Sequence, residues 1–299
     1  LTVADIRGTS PKVWNSWKAR LLETLYHSTL NRLEMLQGDN PEQLGDMVVQ
    51  RKRDALTHLR FFALGDSVQA QFWKQLDDVY FLRHTDEEIA WHTRCLYYRT
   101  HENKPVVRAR PNPDGVGIQV LAYAPDQPDL FVRLSGYFSS IGYSIMDAKI
   151  HTTKHGYALD TFQISGSNLV DEGGSYRDLI QLVEYELTAA LQNNDPLPSP
   201  SMGRLSRQSR TFPIQPRVHM IPDERGHYYA LSLSASDRTG LLYAISRVLA
   251  KHQVSLHTAR INTLGERVED VFLLDAANLS KNPKLQILLE TDLLEALGA

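Results

Sequence analysis

The chain has 299 residues, 32 Lys and Arg against 35 Asp and Glu, and a formal net charge of -3; hydrophobic residues make up 42% and aromatic ones 9%. That is enough apolar material for packed cores in two or three domains of ordinary size, and the near-neutral charge argues against a surface built to bind nucleic acid or a membrane. No apolar run reaches the roughly 18 residues of a membrane-crossing helix, and Cys95 is the single cysteine, which excludes an internal disulfide and a cysteine-cluster metal site.

Residues 1–103 are predicted to be helical. LTVADIRGTS has neither the basic nor the apolar region of a secretory signal, so a cytoplasmic protein is expected. Ser10 then stands as an N-cap with Pro11 at the first helical position, and Trp14, Trp17, Leu21 and Leu25 follow at helical spacing. A second stretch carries Leu44, Met47, Val48, Leu56, Leu59 and Phe62, with the basic run Arg51, Lys52 and Arg53 expected on a solvated face. TDEEIAWHTR is a capping box, with Thr85 as cap and Glu88 three residues on.

The pattern changes at Lys104. VVRARPNPDGVGIQVLAYA reads as strand, turn and strand, and DLFVRLSGYFSSIG as a helix. SIMDAKIHT and YALDTFQIS are alternating strands around KHG, and a long helix spans about Tyr176 to Asn193. Residues 197–213 are rich in Pro, Ser and Arg and read as a linker. The same order then returns over 214–299. The expected domains are therefore 1–103, 104–196 and 214–299.

A shift of 111 residues superposes the two later domains. Ala124 meets Ala235, Asp126 meets Asp237, Leu130 meets Leu241, Ser135 meets Ser246 and Lys149 meets Arg260. After one gap, Asp160 meets Asp270 and Phe162 meets Phe272. One domain type thus occurs twice. The predicted class is α+β: an all-helical N-terminal segment followed by two ferredoxin-like βαββαβ domains.

The informative turn is SASDRTGLL, where the first helix of the second repeat begins. Asp237 is either an N-cap or an acceptor for a ligand amine. Gly240 is either a turn residue or a place where a ligand approaches the backbone. Backbone N–H groups at a helix start can hold a carboxylate, so the turn could hold both ends of an α-amino acid. Asp147, Lys149 and His151 share a strand face, as Thr258, Arg260 and Asn262 do; both sets suit either an interdomain pocket or a solvated face. No phosphate-binding loop or nucleophile elbow is present.

The repeated unit with D-R-x-G-L-L at this turn resembles the ACT domain, a module that pairs side by side and binds amino acids at the pair interface. Gly240 stands at that family's characteristic glycine, whereas the first repeat has PDQPDLF, with Asp129 in the corresponding place. YFLRHTDEEIAWHTR, YAPDQPDLF and DAKIHTTKHGYALDTFQI are further similar to the C-terminal part of a family of bifunctional enzymes. These uridylylate the PII nitrogen-signalling protein and remove the uridylyl group.

That resemblance implies that residues 1–103 end an HD-type hydrolase domain and that the two ACT domains sense glutamine. The implied glutamine site comprises Asp237, Arg238, Thr239, Gly240, Leu241 and Asn262, with Asp126, Gln127, Asp129 and Leu130 in the first repeat. Asp5 matches the last ligand of the family's divalent metal set, Mg or Mn, whose other ligands would precede Leu1. PII is the implied substrate, and UTP is expected only at a domain upstream. No nucleic acid or membrane partner is implied. The 299 residues alone are expected to need no cofactor and to catalyse neither reaction. The alternative is a stand-alone amino-acid sensor without chemistry.

Overall fold

The computed structural model describes residues 41–62, 64, 67–113, 117–127, 129–165, 176–193, 203–204, 207–211, 213–223, 228–261, 263–264, 267–280 and 282–298. Asp5, the helix expected from Ser10, and Asn262 lie outside the described residues. The chain divides into two compact units, residues up to 65 with 78–90, and 66–77 with 91–299.

In the first unit, α1 (Pro41–Arg60) precedes a short helix of the second unit, α2 (Ala70–Lys74). α3 (Asp78–Arg83) and the start of α4 (Asp86–Leu96) follow. Val48, Ala55 and Leu59 form the buried edge of α1, at the spacing a 3.6-residue period requires. The basic run is less solvated than its sequence implies. Arg51 reaches Asp86 at 3.2 Å, and Lys52 lies 4.2 Å from the Phe81 ring centroid. The acidic first turns of α3 and α4 draw both side chains in, and Arg53 alone stays exposed. The capping box forms as predicted: Thr85 N donates to Glu88 Oε2 at 2.9 Å and Glu88 N to Thr85 Oγ1 at 3.2 Å. This satisfies two amides that a helix start otherwise leaves orphaned.

The second unit carries the α+β part. Its first half contains β1 (Val106–Pro111), β2 (Ile118–Pro125), α5 (Leu130–Ser140), β3 (Ser144–Lys149), β4 (Tyr157–Ser165) and α6 (Tyr176–Asn193). A short helix, α7 (Arg207–Thr211), lies in the expected linker. The second half contains β5 (Arg217–Pro222), β6 (Tyr228–Ser236), α8 (Leu241–Lys251), β7 (Leu256–Arg260), β8 (Thr263–Leu264), β9 (Arg267–Asp275), α9 (Ala276–Leu279) and α10 (Pro283–Gly298).

Eight strands run antiparallel in the order β1-β2-β4-β3-β7-β9-β6-β5, with β8 paired to β9. This is an α+β pair of ACT-type halves sharing one sheet. In each half the extra strand in front fills the sheet edge beside the second strand, so the described order is ββαββα. The halves join where Lys149 of β3 faces Arg260 of β7. On one face of the sheet the helices enclose a continuous core, with Leu134 and Phe138 of α5, Val183 and Leu187 of α6, Ile245 and Leu249 of α8, and Leu289 and Leu293 of α10.

The other face differs between the halves. β2 is buried along nearly its whole length because residues 91–100 cover it. There His92 Nε2 lies 3.1 Å from Thr161 Oγ1, the Arg110 guanidinium 4.3 Å from the Trp91 ring, and the Tyr123 hydroxyl donates to the Thr100 carbonyl at 2.8 Å. In the second half β9 alternates exposed and buried residues, the signature of a sheet with one open face.

Candidate functional site

The repeat alignment becomes spatial symmetry. Ser135 and Ser246, aligned in sequence, meet at 2.9 Å between their Oγ atoms where α5 crosses α8. Lys149 and Arg260, also aligned, face each other in the sheet. A local twofold axis passes between these pairs and relates the strands and first helices that the two halves share.

At the second-repeat turn, Gly240 has φ 84° and ψ -4°, a left-handed conformation that glycine adopts without steric cost. The Leu241 amide, expected to meet a ligand carboxylate, closes the turn onto the Arg238 carbonyl at 3.1 Å. The Arg238 guanidinium donates from Nη2 to the carbonyls of Ala296 at 3.3 Å and Leu297 at 3.2 Å. It therefore caps the last turn of α10, where a cation is favoured. The Thr239 carbonyl accepts the Gly203 amide at 2.9 Å.

The first-repeat turn has the same closing bond, Leu130 N–H to the Gln127 carbonyl at 3.0 Å. Asp129, in the glycine's place, has φ -103°, so no left-handed residue is needed. Its carboxylate is turned along the helix to Arg133 Nε at 2.7 Å, and Asp129 does not line the adjoining cleft. The Asp129 charge is thus paired along α5.

Each turn opens into a solvent-accessible cleft completed by the other half. The first is lined by Asp237, Arg238, Gly240 and Leu241 together with Ser144 and Ile145. The second is lined by Asp126, Gln127, Leu130 and Thr152 together with Ser255 and Leu256. Ser144 and Ile145 are the repeat partners of Ser255 and Leu256, so the clefts are related by the local axis. The residues expected at one glutamine site therefore fall in two places, and Thr239 and Asp129 line neither cleft.

Sequence reasoning passed over one residue in each cleft. Asp160 lines the first-repeat cleft at 1% exposure, and Asp270 the second-repeat cleft at 2%. Asp160 Oδ1 accepts the His151 amide at 3.3 Å. Burial, joined by the negative charge of Asp126, holds the Asp160 carboxyl well above the usual carboxylate range against that bond's pull. At the mouth, Thr152 Oγ1 donates to Asp126 Oδ2 at 3.0 Å. The repeat alignment already paired Asp160 with Asp270 between apolar neighbours, and that was the available signal.

The other candidates have structural surroundings. His151 is buried, with Nε2 3.9 Å from Asp77. His84 and His92 are buried, and His58 lies 2.9 Å from Asp86 Oδ2. Burial pushes the Cys95 thiol up to about 11, which suits packing and not nucleophilic attack. Among the described residues no three His, Cys, Asp or Glu side chains group as a metal site. No described helix is long and apolar enough to cross a membrane.

Residues 43–95 match the family model described as the uridylyltransferase GlnD fifth domain. The chain is 59% identical over 297 residues to a bifunctional uridylyltransferase/uridylyl-removing enzyme of Cupriavidus pinatubonensis, covering 99% of the chain and 34% of the relative. It is 59% identical over 300 residues to the enzyme of that name from Ralstonia nicotianae, and 54% over 298 residues to that from Burkholderia vietnamiensis. Each alignment covers 100% of the chain and 34% of the relative. The chain thus spans about a third of the length of these relatives.

Proposed function

We propose that this chain, whose whole length corresponds to the C-terminal third of bifunctional uridylyltransferase/uridylyl-removing enzymes, is the regulatory portion of such an enzyme. The observation that carries the reading is that full-length identity; the paired clefts give it a place to act. In the whole cytoplasmic protein, one site upstream would transfer UMP from UTP to PII, and an HD-type site, with Asp5 among its divalent metal ligands, would remove it. Residues 1–103 would end that HD-type domain, and 104–196 and 214–299 would be the ACT domains.

Glutamine binding in the clefts would shift the balance from transfer to removal. A glutamine carboxylate is drawn to the start of α8, where the helix dipole favours an anion. Gly240 leaves the backbone there uncovered. The ammonium suits the carboxylates of the cleft, Asp237 among them, and the side-chain amide needs a polar partner once it leaves water.

Calorimetry of the 299-residue chain tests this reading. Glutamine is expected to bind in preference to glutamate and asparagine. Gly240→Val forces a β-branched residue into a left-handed conformation, which costs on the order of 1–3 kcal/mol, and crowds the cleft. Affinity at that cleft is expected to fall by at least about tenfold, the equivalent of 1.4 kcal/mol. Binding without preference for glutamine, or full affinity in a folded Gly240→Val protein, would refute the assignment.

A further inference from the structure

We propose that Asp160 and Asp270 are the ammonium-recognising groups of two amino-acid sites, so that the first-repeat cleft is a ligand site in its own right despite lacking the glycine turn. The proposal deepens the reading above and rests on it for the identity of the ligand, though not for its ammonium.

The first-repeat cleft makes the case. Among the described residues lining it there are two carboxylates, Asp126 and Asp160, and no cationic side chain. Asp160 is buried at 1% exposure, and the His151 amide at 3.3 Å is the one hydrogen bond that the described residues give it. A carboxylate accepts at two oxygens through about four lone pairs, so most of its capacity is unused beside an open cleft. Burying an ionised carboxyl is unfavourable without a counter-charge. A ligand ammonium entering from the mouth supplies that charge and three N–H donors. The neighbouring Leu130, Phe131, Ile150 and Leu256 accept the stem of a small side chain.

Asp126 is the less suitable acceptor. It is exposed, so its charge is screened by water, and its Oδ2 already takes the Thr152 hydroxyl. The same division recurs across the local axis, where Asp237 is half-buried at the turn and Asp270 lies within. Two independent copies of the repeat thus keep an acid at one inward-facing position of β4 and β9. An inward position on such a strand ordinarily holds an apolar residue.

The experiment is calorimetry of the 299-residue chain with glutamine and with 4-carbamoylbutanoate, which is glutamine without its amino group. Wild-type protein is expected to bind glutamine at two sites and to prefer it over the analogue by roughly 10- to 100-fold, the worth of a charge-assisted hydrogen bond. Asp160→Asn and Asp270→Asn keep side-chain shape and remove the charge. Each is expected to erase that preference at one site and leave the other unchanged, with circular dichroism as wild type. Variants that keep the preference, or that lose glutamine and the analogue equally, overturn the proposal. If another α-amino acid binds in place of glutamine and Asp160→Asn weakens it, the ammonium assignment stands and the glutamine reading falls. If no α-amino acid binds, both fall.

Discussion

An acid enclosed like Asp160 is a burden to the unliganded protein. Its carboxyl is held well above the usual range by burial, so the folded state binds this proton more tightly than the unfolded chain does. Stability is then lost as pH rises from the ordinary carboxylate value, 3.8, through the raised one. Asp160→Asn removes the dependence. Without ligand, the variant is expected to melt a few degrees above wild type at pH 8, and the gap should close below pH 3.8; coincident midpoints at pH 8 would contradict this. Asp86 is the converse: although burial pushes it up, its backbone hydrogen bond, His58 and Arg51 together hold it below the ordinary value. At this scale the sequence was partly legible. Gly240 announces itself because only glycine takes φ 84° cheaply. The pairing of Asp129 with Arg133 was not legible, since it depends on a rotamer and not on spacing alone. Asp160 showed only through its pairing with Asp270 in the repeat, because an acid within alternating apolar residues reads the same whether it faces water or a cleft.

The critical contact between elements is the crossing of α5 and α8. Besides the Ser135–Ser246 pair, a Cβ built on Gly136 would stand 2.7 Å from Cε2 of Tyr243, closer than packed atoms approach. Tyr243 is itself buried and lines the second-repeat cleft. Gly136→Ala is therefore expected to cost about 1–3 kcal/mol as an overpacked core does, despite alanine's better helix propensity. Removing the ring in a Gly136→Ala/Tyr243→Ala protein should make the glycine substitution far less harmful than it is alone. Thermal melts of the two single variants and the double variant decide it: additive losses would mean that the residues do not meet. The helices themselves were readable from their apolar spacing. The edge position of β1 and β5 was not, because the pattern of a strand shows which face is buried and not which neighbour it pairs with.

Across the whole second unit, one sheet is shared by two halves, each too small to bury a large core alone. Separated residues 214–299 would expose β7 as an edge strand and the α8 surface at the crossing. Unpaired edges invite association with other chains. That piece is expected to melt well below the 299-residue chain and to self-associate; an unchanged midpoint would show that the halves do not support one another. The repeat was plain in the sequence, as was the α+β class. Which equivalent residues touch was not, since only those on the local axis, such as Ser135 with Ser246, meet their own counterparts. The cover over β2 was equally hidden, because it is supplied by residues 91–100 from outside the repeat.

Joining both halves in one polypeptide also releases them from sameness. Two identical subunits around a true twofold axis must carry identical clefts, so any substitution appears twice. Here the turn at Gly240 and the turn at Asp129 have already diverged, in backbone angle and in charge. Each cleft is free to acquire its own threshold. On the proposed reading, a tandem sensor built this way can spread its response over a wider span of metabolite concentration than one class of site allows, or keep one cleft filled as scaffolding while the other reports change.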